Sequence, residues 1–107
     1  MKLWLDDARP APMGWTHART VAEAKKLLED NEPSVISLDY DMNHTDNVNG
    51  GHFAKFLAQN TDKLPHKVYL HTANPDGRLE MYHILNRAVI SNRKNTQVIQ
   101  GPMPGTM

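Results

Sequence analysis

Five short apolar segments, each followed by polar or acidic residues, recur along the chain and predict the strands of a sheet. They cover residues 2–6, 15–19, 34–39, 67–72 and 96–100. The segment 34–39, for example, is a nearly continuous run of apolar and β-branched residues. Such runs are typical of parallel strands that are covered on both faces.

Residues at helical spacing separate these strands and predict three helices, near 20–31, 53–57 and 74–91. Thr20 and Glu23 form a capping box at the start of the first helix, because the hydroxyl and the carboxylate can each accept from an amide that lacks a helical partner. Asn74 and Pro75 predict the start of the third helix, with a side-chain cap followed by proline at the first helical position. Its apolar positions are Leu79, Tyr82, Leu85 and Val89.

The Pro-rich segment 9–14 follows the first strand directly and interrupts the alternation of strands and helices. Proline cannot lie inside a helix, because it lacks an amide donor and clashes with the preceding turn. Strands that alternate with helices elsewhere predict a parallel sheet. In such open sheets ligands bind at the carboxyl ends of the strands, so the residues that follow each strand are the candidates for function.

Composition limits the classes of function. The 107 residues include 12 Lys and Arg against 12 Asp and Glu, and this balance argues against general binding to duplex nucleic acid. A mean hydropathy of −0.61, without a long apolar run, argues against a membrane span. The chain has no cysteine, and its first residues lack the apolar stretch of a secretory signal, so we expect a cytoplasmic protein.

Three predicted strands end in polar residues that would meet at one edge of the sheet. Asp6-Asp7 follows the first strand, Asp39-Tyr40-Asp41 the third and His71-Thr72-Ala73-Asn74 the fourth. Carboxylates that lie close together repel one another unless a cation sits between them. Carboxylate oxygens suit Mg²⁺, so we predict Mg²⁺ or another divalent cation as cofactor. The predicted ligands are Asp6, Asp7, Asp39 and Asp41.

A phosphate group held beside this cation would lie near the amino end of the third helix, where the helix dipole favours anions. Thr72, Asn74 and Arg78 are the polar residues closest to that end in the sequence. Arg9 and Arg19 are further candidates for binding the substrate, because guanidinium binds phosphate in a fork. His71 either hydrogen-bonds a backbone carbonyl or serves as a proton donor, and the sequence leaves both interpretations open.

The acidic pair after the first strand, Asp39-x-x-Met42 after the third and Thr72-Ala73 after the fourth resemble the receiver domain of response regulators. The resemblance places Asp39 at the phospho-accepting position and Thr72 at the hydroxyl that contacts the phosphoryl group. It places Asp6 and Asp7 at the metal-binding pair. Unlike a receiver, the fifth strand is followed by Gln100-Gly101-Pro102, without the lysine that pairs with the acyl phosphate.

Four segments are also similar to the compact receiver-like family named for predicted cyclic-phosphate processing. They are Leu-Asp-Asp-Ala-Arg-Pro at 5–10, Arg-Thr-Val-Ala-Glu-Ala at 19–24, Ile-Ser-Leu-Asp at 36–39 and His-Thr-Ala-Asn-Pro-Asp-Gly-Arg at 71–78. One departure is Tyr40, where the family more often has histidine, and the nearby His44 is a possible substitute. The family implies a role in processing RNA ends or nucleotides.

We therefore predict one receiver-like domain over residues 1–107, in which residues 100–107 are a Pro/Gly-rich tail. The expected fold is a three-layer α/β fold with five parallel strands in the order 2-1-3-4-5 and a shortened or missing first helix. The expected function is metal-assisted phosphoesterase chemistry on a cyclic or nucleotide-like phosphate, with Asp39, His71 and Thr72 as catalytic residues. The expected partner is a small phosphate-bearing ligand, either a nucleotide or an RNA end. A phospho-accepting signalling module and a cyclic-nucleotide binding module without turnover are the alternatives.

Overall fold

The computed structural model describes residues 1–42 and 48–102, which form a five-stranded sheet, three α-helices and one short 3-10 helix. The strands are β1 (Lys2–Leu5), β2 (Thr16–Ala18), β3 (Val35–Leu38), β4 (Lys67–Leu70) and β5 (Gln97–Ile99). The helices are α1 (Val21–Asp30), α2 (Gly50–Gln59) and α3 (Pro75–Ser91), and the 3-10 helix spans Thr61–Lys63.

All strand pairs in the sheet are parallel, and the strand order is β2-β1-β3-β4-β5. The predicted order is therefore confirmed. Each strand is shorter than the apolar segment that predicted it, because the polar residues after it lie beyond the regular pairing. These residues form the carboxyl edge of the sheet, where the sequence predicted the site.

The three helices cover one face of the sheet, and the Pro-rich connection crosses the other. Leu3, Ile36 and Val68 point to the helical face and share one core with buried residues of all three helices. Right-handed crossovers explain this arrangement, because the connections through α1, α2 and α3 all advance in the same direction across the sheet. The connection from β1 to β2 runs in the opposite direction. It contains no helix in residues 6–15, so of the two predicted alternatives, a shortened or a missing first helix, the structure has the second.

Trp4 and Trp15 bring the Pro-rich connection onto the sheet. Their rings meet edge to face with centroids 5.9 Å apart, and Trp4 is buried on the face opposite the helices. An edge-to-face pair of this kind is a favoured aromatic geometry. The third layer of the fold is therefore a loop segment anchored by tryptophan instead of a helix.

The start of α1 has one half of the predicted capping box. The Thr20 hydroxyl accepts from the Glu23 amide at 3.0 Å, but the Glu23 carboxylate accepts from the Arg19 amide instead of closing the box on Thr20.

In α3 the buried residues are Gly77, Met81, Leu85, Ala88 and Val89. Leu79 is 47% exposed, so the prediction that it lies on the apolar face is wrong. Within the described residues, no helix combines the length and apolarity that crossing a bilayer requires.

Candidate functional site

The parallel register places three polar residues in one row at the carboxyl edge. Leu5, Leu38 and Leu70 are paired neighbours in β1, β3 and β4. The next residue in each chain segment keeps its backbone bond to the neighbouring strand: the Asp39 amide donates to the Leu5 carbonyl and the His71 amide to the Leu38 carbonyl, both at 2.9 Å. Because strand side chains alternate between faces, the residues after these leucines project to the face opposite the helices.

Asp6, Asp39 and His71 form a buried cluster in this row. Each can offer one ligand atom such that all three atoms lie within 4.8 Å of one another. The residues are 0%, 7% and 4% exposed, respectively. His71 Nε2 lies 3.0 Å from Asp6 Oδ2. We call these three residues the edge cluster.

Two further side chains fix the His71 ring. Ser37 Oγ lies 2.6 Å from His71 Nδ1, and the Trp4 ring stacks on the imidazole at 3.9 Å with an interplanar angle of 5°. Burial lowers the pKa of His71 to about 4, against the raising effect of Asp6, so the imidazole is neutral near pH 7. A neutral ring facing a carboxylate carries its proton on Nε2, so Ser37 donates to Nδ1.

Asp6 is held by main-chain donors as well as by His71. Its Oδ1 accepts from the amides of Ala8 and Arg9, both at 2.8 Å. Burial alone raises the pKa of Asp6, but these two amides and His71 lower it, and the net shift is downward. Asp6 is therefore a fixed anion beneath the Pro-rich connection.

Asp39 has the opposite electrostatic character. Burial raises its pKa, and the nearby charge of Asp6 raises it further, although the Thr72 hydroxyl, the Tyr40 amide and Arg9 oppose this shift. Its Oδ1 accepts from the Tyr40 amide at 2.8 Å. Two carboxyl groups whose pKa values are pushed apart are a frequent feature of catalytic sites, because one stays charged while the other exchanges a proton.

Arg9 contacts all three members of the edge cluster. Its Nε lies 3.2 Å from Asp6 Oδ2, and its Nη2 lies 3.8 Å from Asp39 Oδ1. The same Nη2 donates to the His71 carbonyl at 3.1 Å, while the Arg9 carbonyl accepts from Trp4 Nε1. The side chain is nevertheless 47% exposed. Arg9 therefore places a positive charge beside Asp39, at the edge where β5 brings no lysine.

The start of α3 forms a second group of polar contacts next to the edge cluster. Asn74 Oδ1 caps the helix by accepting from the Gly77 amide, and its Nδ2 donates to both carboxylate oxygens of Asp41 at 3.2 and 3.3 Å. Arg78 Nη1 donates to the Thr72 carbonyl at 3.3 Å, and Thr72 is buried. The structure brings Thr72, Asn74 and Arg78 together at the start of α3, and their binding of a phosphate stays a prediction.

Two predicted metal ligands, Asp7 and Asp41, and the predicted substrate-binding residue Arg19 are not members of the edge cluster. Asp41 is exposed and engaged by Asn74, Asp7 is half-exposed next to Asp6, and Arg19 is exposed after β2. Their proposed contacts with metal or substrate stay predictions. The possible substitute His44 and the tail residues 103–107 lie outside the described residues.

The Tyr40 side chain packs against α2 and α3. Its hydroxyl shares hydrogen bonds with Glu80 and Asn49, and burial together with Glu80 raises the pKa of the phenol. A Cβ at Gly77 would overlap the Tyr40 ring, and one at Gly51 would meet its edge. Tyr40 thus packs at the contact between α2 and α3, and the glycines are required by this close approach.

The sequence interpretation missed three residues of the site. Ser37, Trp4 and His17 all contact it, the last through Nε2 at 2.7 Å from the Asp6 carbonyl. A signal for Ser37 exists, because it is a polar residue in an apolar strand, two positions before Asp39 and therefore on the same face. No comparable signal identifies Trp4, whose stacking on His71 joins two distant segments of the chain.

The fold and this edge site define a receiver-like domain, and comparisons with solved structures agree. The receiver domain of the Francisella response regulator 1452 matches with a TM-score of 0.55 and 17% identity, over 86% of this chain and 95% of that one. The response regulator TrrA from Thermotoga maritima, solved in complex with Mg²⁺ and BeF, matches with a TM-score of 0.59 and 16% identity, over 97% and 87%. At these identities the likeness establishes the fold alone.

Sequence comparison identifies the family within this class. The family described as "Cyclic-phosphate processing Receiver domain" matches residues 1–87. The chain belongs to this family, as the motifs at the strand ends predicted. Comparison with curated proteins gives no match.

Proposed function

We propose that this domain is a divalent-metal-dependent phosphoesterase that acts on a cyclic or nucleotide-like phosphate in the cytoplasm. One observation carries the proposal. Two carboxylates and an imidazole, with ligand atoms within 4.8 Å of one another, lie buried at the carboxyl edge of a parallel sheet, next to the start of a helix. The family description names cyclic phosphate.

Asp6 and Asp39 are the residues that would hold the cation, and their donor set fits one, since both are buried and one oxygen of each lies within 4.8 Å of the other. The cation would polarise the phosphoryl group and stabilise the charge that develops on it. Thr72 and Arg78 would bind the phosphate oxygens together with the amides at the start of α3. Arg9, half-exposed above both carboxylates, would form a fork to the same phosphate.

Asp39 is the residue best placed to orient an attacking water. Its side chain is 10% exposed, so a carboxylate oxygen can accept a hydrogen bond from a water at the site. His71 has a side chain that is only 1% exposed and faces Asp6. Because Nε2 is directed at Asp6 and not at the open side of the site, we assign His71 to holding Asp6 and the cation instead of to its predicted role as a direct proton donor.

The test is incubation with 2′,3′-cyclic nucleotides and a series of divalent cations, with products separated by chromatography. We expect ring opening to a nucleoside monophosphate that requires the cation and is lost in Asp39→Asn. The matched control is Asp62→Asn, because Asp62 is exposed in the 3-10 helix away from the edge. Absence of turnover with every cation would overturn the proposal. A nucleotide that raises the melting temperature but is recovered intact would favour binding without turnover.

A second candidate is phosphorylation of Asp39, and the Arg9 contact favours it. Arg9 Nη2 lies 3.8 Å from Asp39 Oδ1, so Arg9 would supply the positive charge that a lysine at the end of β5 supplies in a receiver. With acetyl phosphate, an Asp39 oxygen would bond to phosphorus and acetate would leave. The measurement is a mass increase of one phosphoryl group that disappears in Asp39→Asn and declines in Arg9→Ala. An unchanged mass in the wild type would eliminate this candidate.

A further inference from the structure

We propose that the edge cluster selects an imidazole-preferring transition metal, such as Zn²⁺ or Co²⁺, over Mg²⁺, with His71 Nε2 as a ligand beside Asp6 and Asp39. This deepens the proposed function and rests on it for the role of the metal. Metal choice itself is measurable without any substrate. Two carboxylates alone suit Mg²⁺, whereas an added imidazole favours the later first-row metals.

The positions of the three donors support a nitrogen ligand. His71 Nε2 lies 3.0 Å from Asp6 Oδ2, whereas the two described main-chain amides that bind Asp6 donate to its Oδ1. One oxygen of Asp39 lies within 4.8 Å of one ligand atom of Asp6 and one of His71. A metal bound to both carboxylates would therefore lie within reach of Nε2.

The surroundings of His71 match those of a metal-binding histidine. In such sites the second ring nitrogen is hydrogen-bonded, which fixes the tautomer and the plane of the ring. Ser37 Oγ provides this contact at 2.6 Å, and the stacked Trp4 ring fixes the plane. A hydroxyl can donate or accept. For Nε2 to bind a metal through its lone pair, the imidazole must lose the proton on Nε2 and carry a proton on Nδ1 instead. Ser37 Oγ would then accept a hydrogen bond from Nδ1 where it had donated one, without moving.

Arg9 competes with the metal for the same carboxylates. Its guanidinium lies 3.2 Å from Asp6 Oδ2 and 3.8 Å from Asp39 Oδ1. Its side chain is 47% exposed, so it can turn towards solvent and a phosphate when a cation binds. Removing this positive charge is expected to strengthen metal binding, which gives a second, independent variant at an exposed position.

The experiment measures binding of Co²⁺, Zn²⁺ and Mg²⁺ by calorimetry, by the visible absorption of Co²⁺ and by tryptophan fluorescence. In Trp15→Phe the remaining tryptophan is Trp4, whose ring stacks on His71, so bound Co²⁺ should quench it. We expect Co²⁺ and Zn²⁺ to bind at least about tenfold more tightly than Mg²⁺. His71→Asn should lose this preference, and Ser37→Ala should weaken Co²⁺ binding by about 10–100-fold, the usual effect of removing such a contact.

The controls separate a lost ligand from a lost fold. His83→Asn changes an exposed histidine of α3 and should bind all three metals as the wild type does. Circular dichroism checks that His71→Asn is folded, and Arg9→Gln should bind Co²⁺ more tightly than the wild type. Equal affinity for Mg²⁺ and Co²⁺, or an unchanged preference in folded His71→Asn, would overturn the inference. If the domain turns over substrate but binds Mg²⁺ most tightly, the inference about the metal is overturned and the proposed function stands. If it prefers a transition metal but shows no turnover, the inference stands and the proposed function is overturned.

Discussion

The neutral, buried His71 makes the stability of the metal-free domain depend on pH in a defined window. Burial lowers the pKa of His71 from 6.5 to about 4 in the folded protein. In the unfolded chain this residue gains its proton near the ordinary value, so between these two values the unfolded state binds more protons. Stability should therefore be complete above pH 6.5 and should decline as the pH falls towards 4.

The size of this effect follows from the difference between the pKa of His71 in the folded protein and its pKa in the unfolded chain. A tenfold change in a proton-binding constant corresponds to about 1.36 kcal/mol, so the loss of stability across the window is on the order of 3 kcal/mol. A domain of this size has a free energy of unfolding of about 5–15 kcal/mol. The expected loss is therefore a substantial part of the total stability.

The assay is urea denaturation in the presence of a chelator at several pH values between about 7.5 and 4.5, which span most of the window. We compare the wild type with His71→Gln, which cannot gain a proton in this range, and with His83→Gln as an exposed control. The stability of the wild type should fall towards that of His71→Gln as the pH is lowered, because only the wild type has the buried imidazole. If the two curves run parallel across the whole range, the reasoning about His71 is refuted.

Three further predictions concern contacts around the site, each checked by thermal denaturation. Ser37→Ala leaves Nδ1 of the buried His71 without its partner and should lower the free energy of unfolding by about 1–3 kcal/mol. Ser34→Ala, at an exposed position, should change it by less than about 0.5 kcal/mol, and equal effects of the two substitutions would contradict the prediction. Gly77→Ala should destabilise the domain through overlap with the Tyr40 ring, and Tyr40→Ala in the same chain should recover part of the loss; strictly additive effects would show that the two do not interact. Asn74→Ala removes the cap of α3 and should cost about 1 kcal/mol, so an unchanged melting temperature would exclude a stabilising cap.

Arg9 contacts Asp39 in this chain, which differs from receivers in having no lysine after the fifth strand. The Pro-rich connection replaces a helix, and it brings Arg9 across the carboxyl edge to within 3.8 Å of Asp39. In this chain, the segment that takes the place of a helix therefore also brings a positive charge beside Asp39.

Local patterns predicted the elements of the fold because each depends on neighbouring residues. The strand segments, the caps at Thr20 and Asn74 and the break at the prolines all involve contacts within a few positions of the chain. The wrong placement of Leu79 shows the limit of such patterns. Helical spacing fits more than one face of α3, and only packing against α2 and the sheet selects the face that contains Met81 and Leu85.

The sequence by itself determined which residues follow the strands, and in a parallel sheet this suffices to bring Asp6, Asp39 and His71 to one edge. It did not determine their partners. The stacking of Trp4 on His71, the bond from Ser37 and the position of Arg9 join segments that are distant along the chain. Only the tertiary structure decides such contacts, because they depend on sheet register and on the path of the connection between β1 and β2. That path also decides which charges are buried together and hence the protonation of the edge cluster.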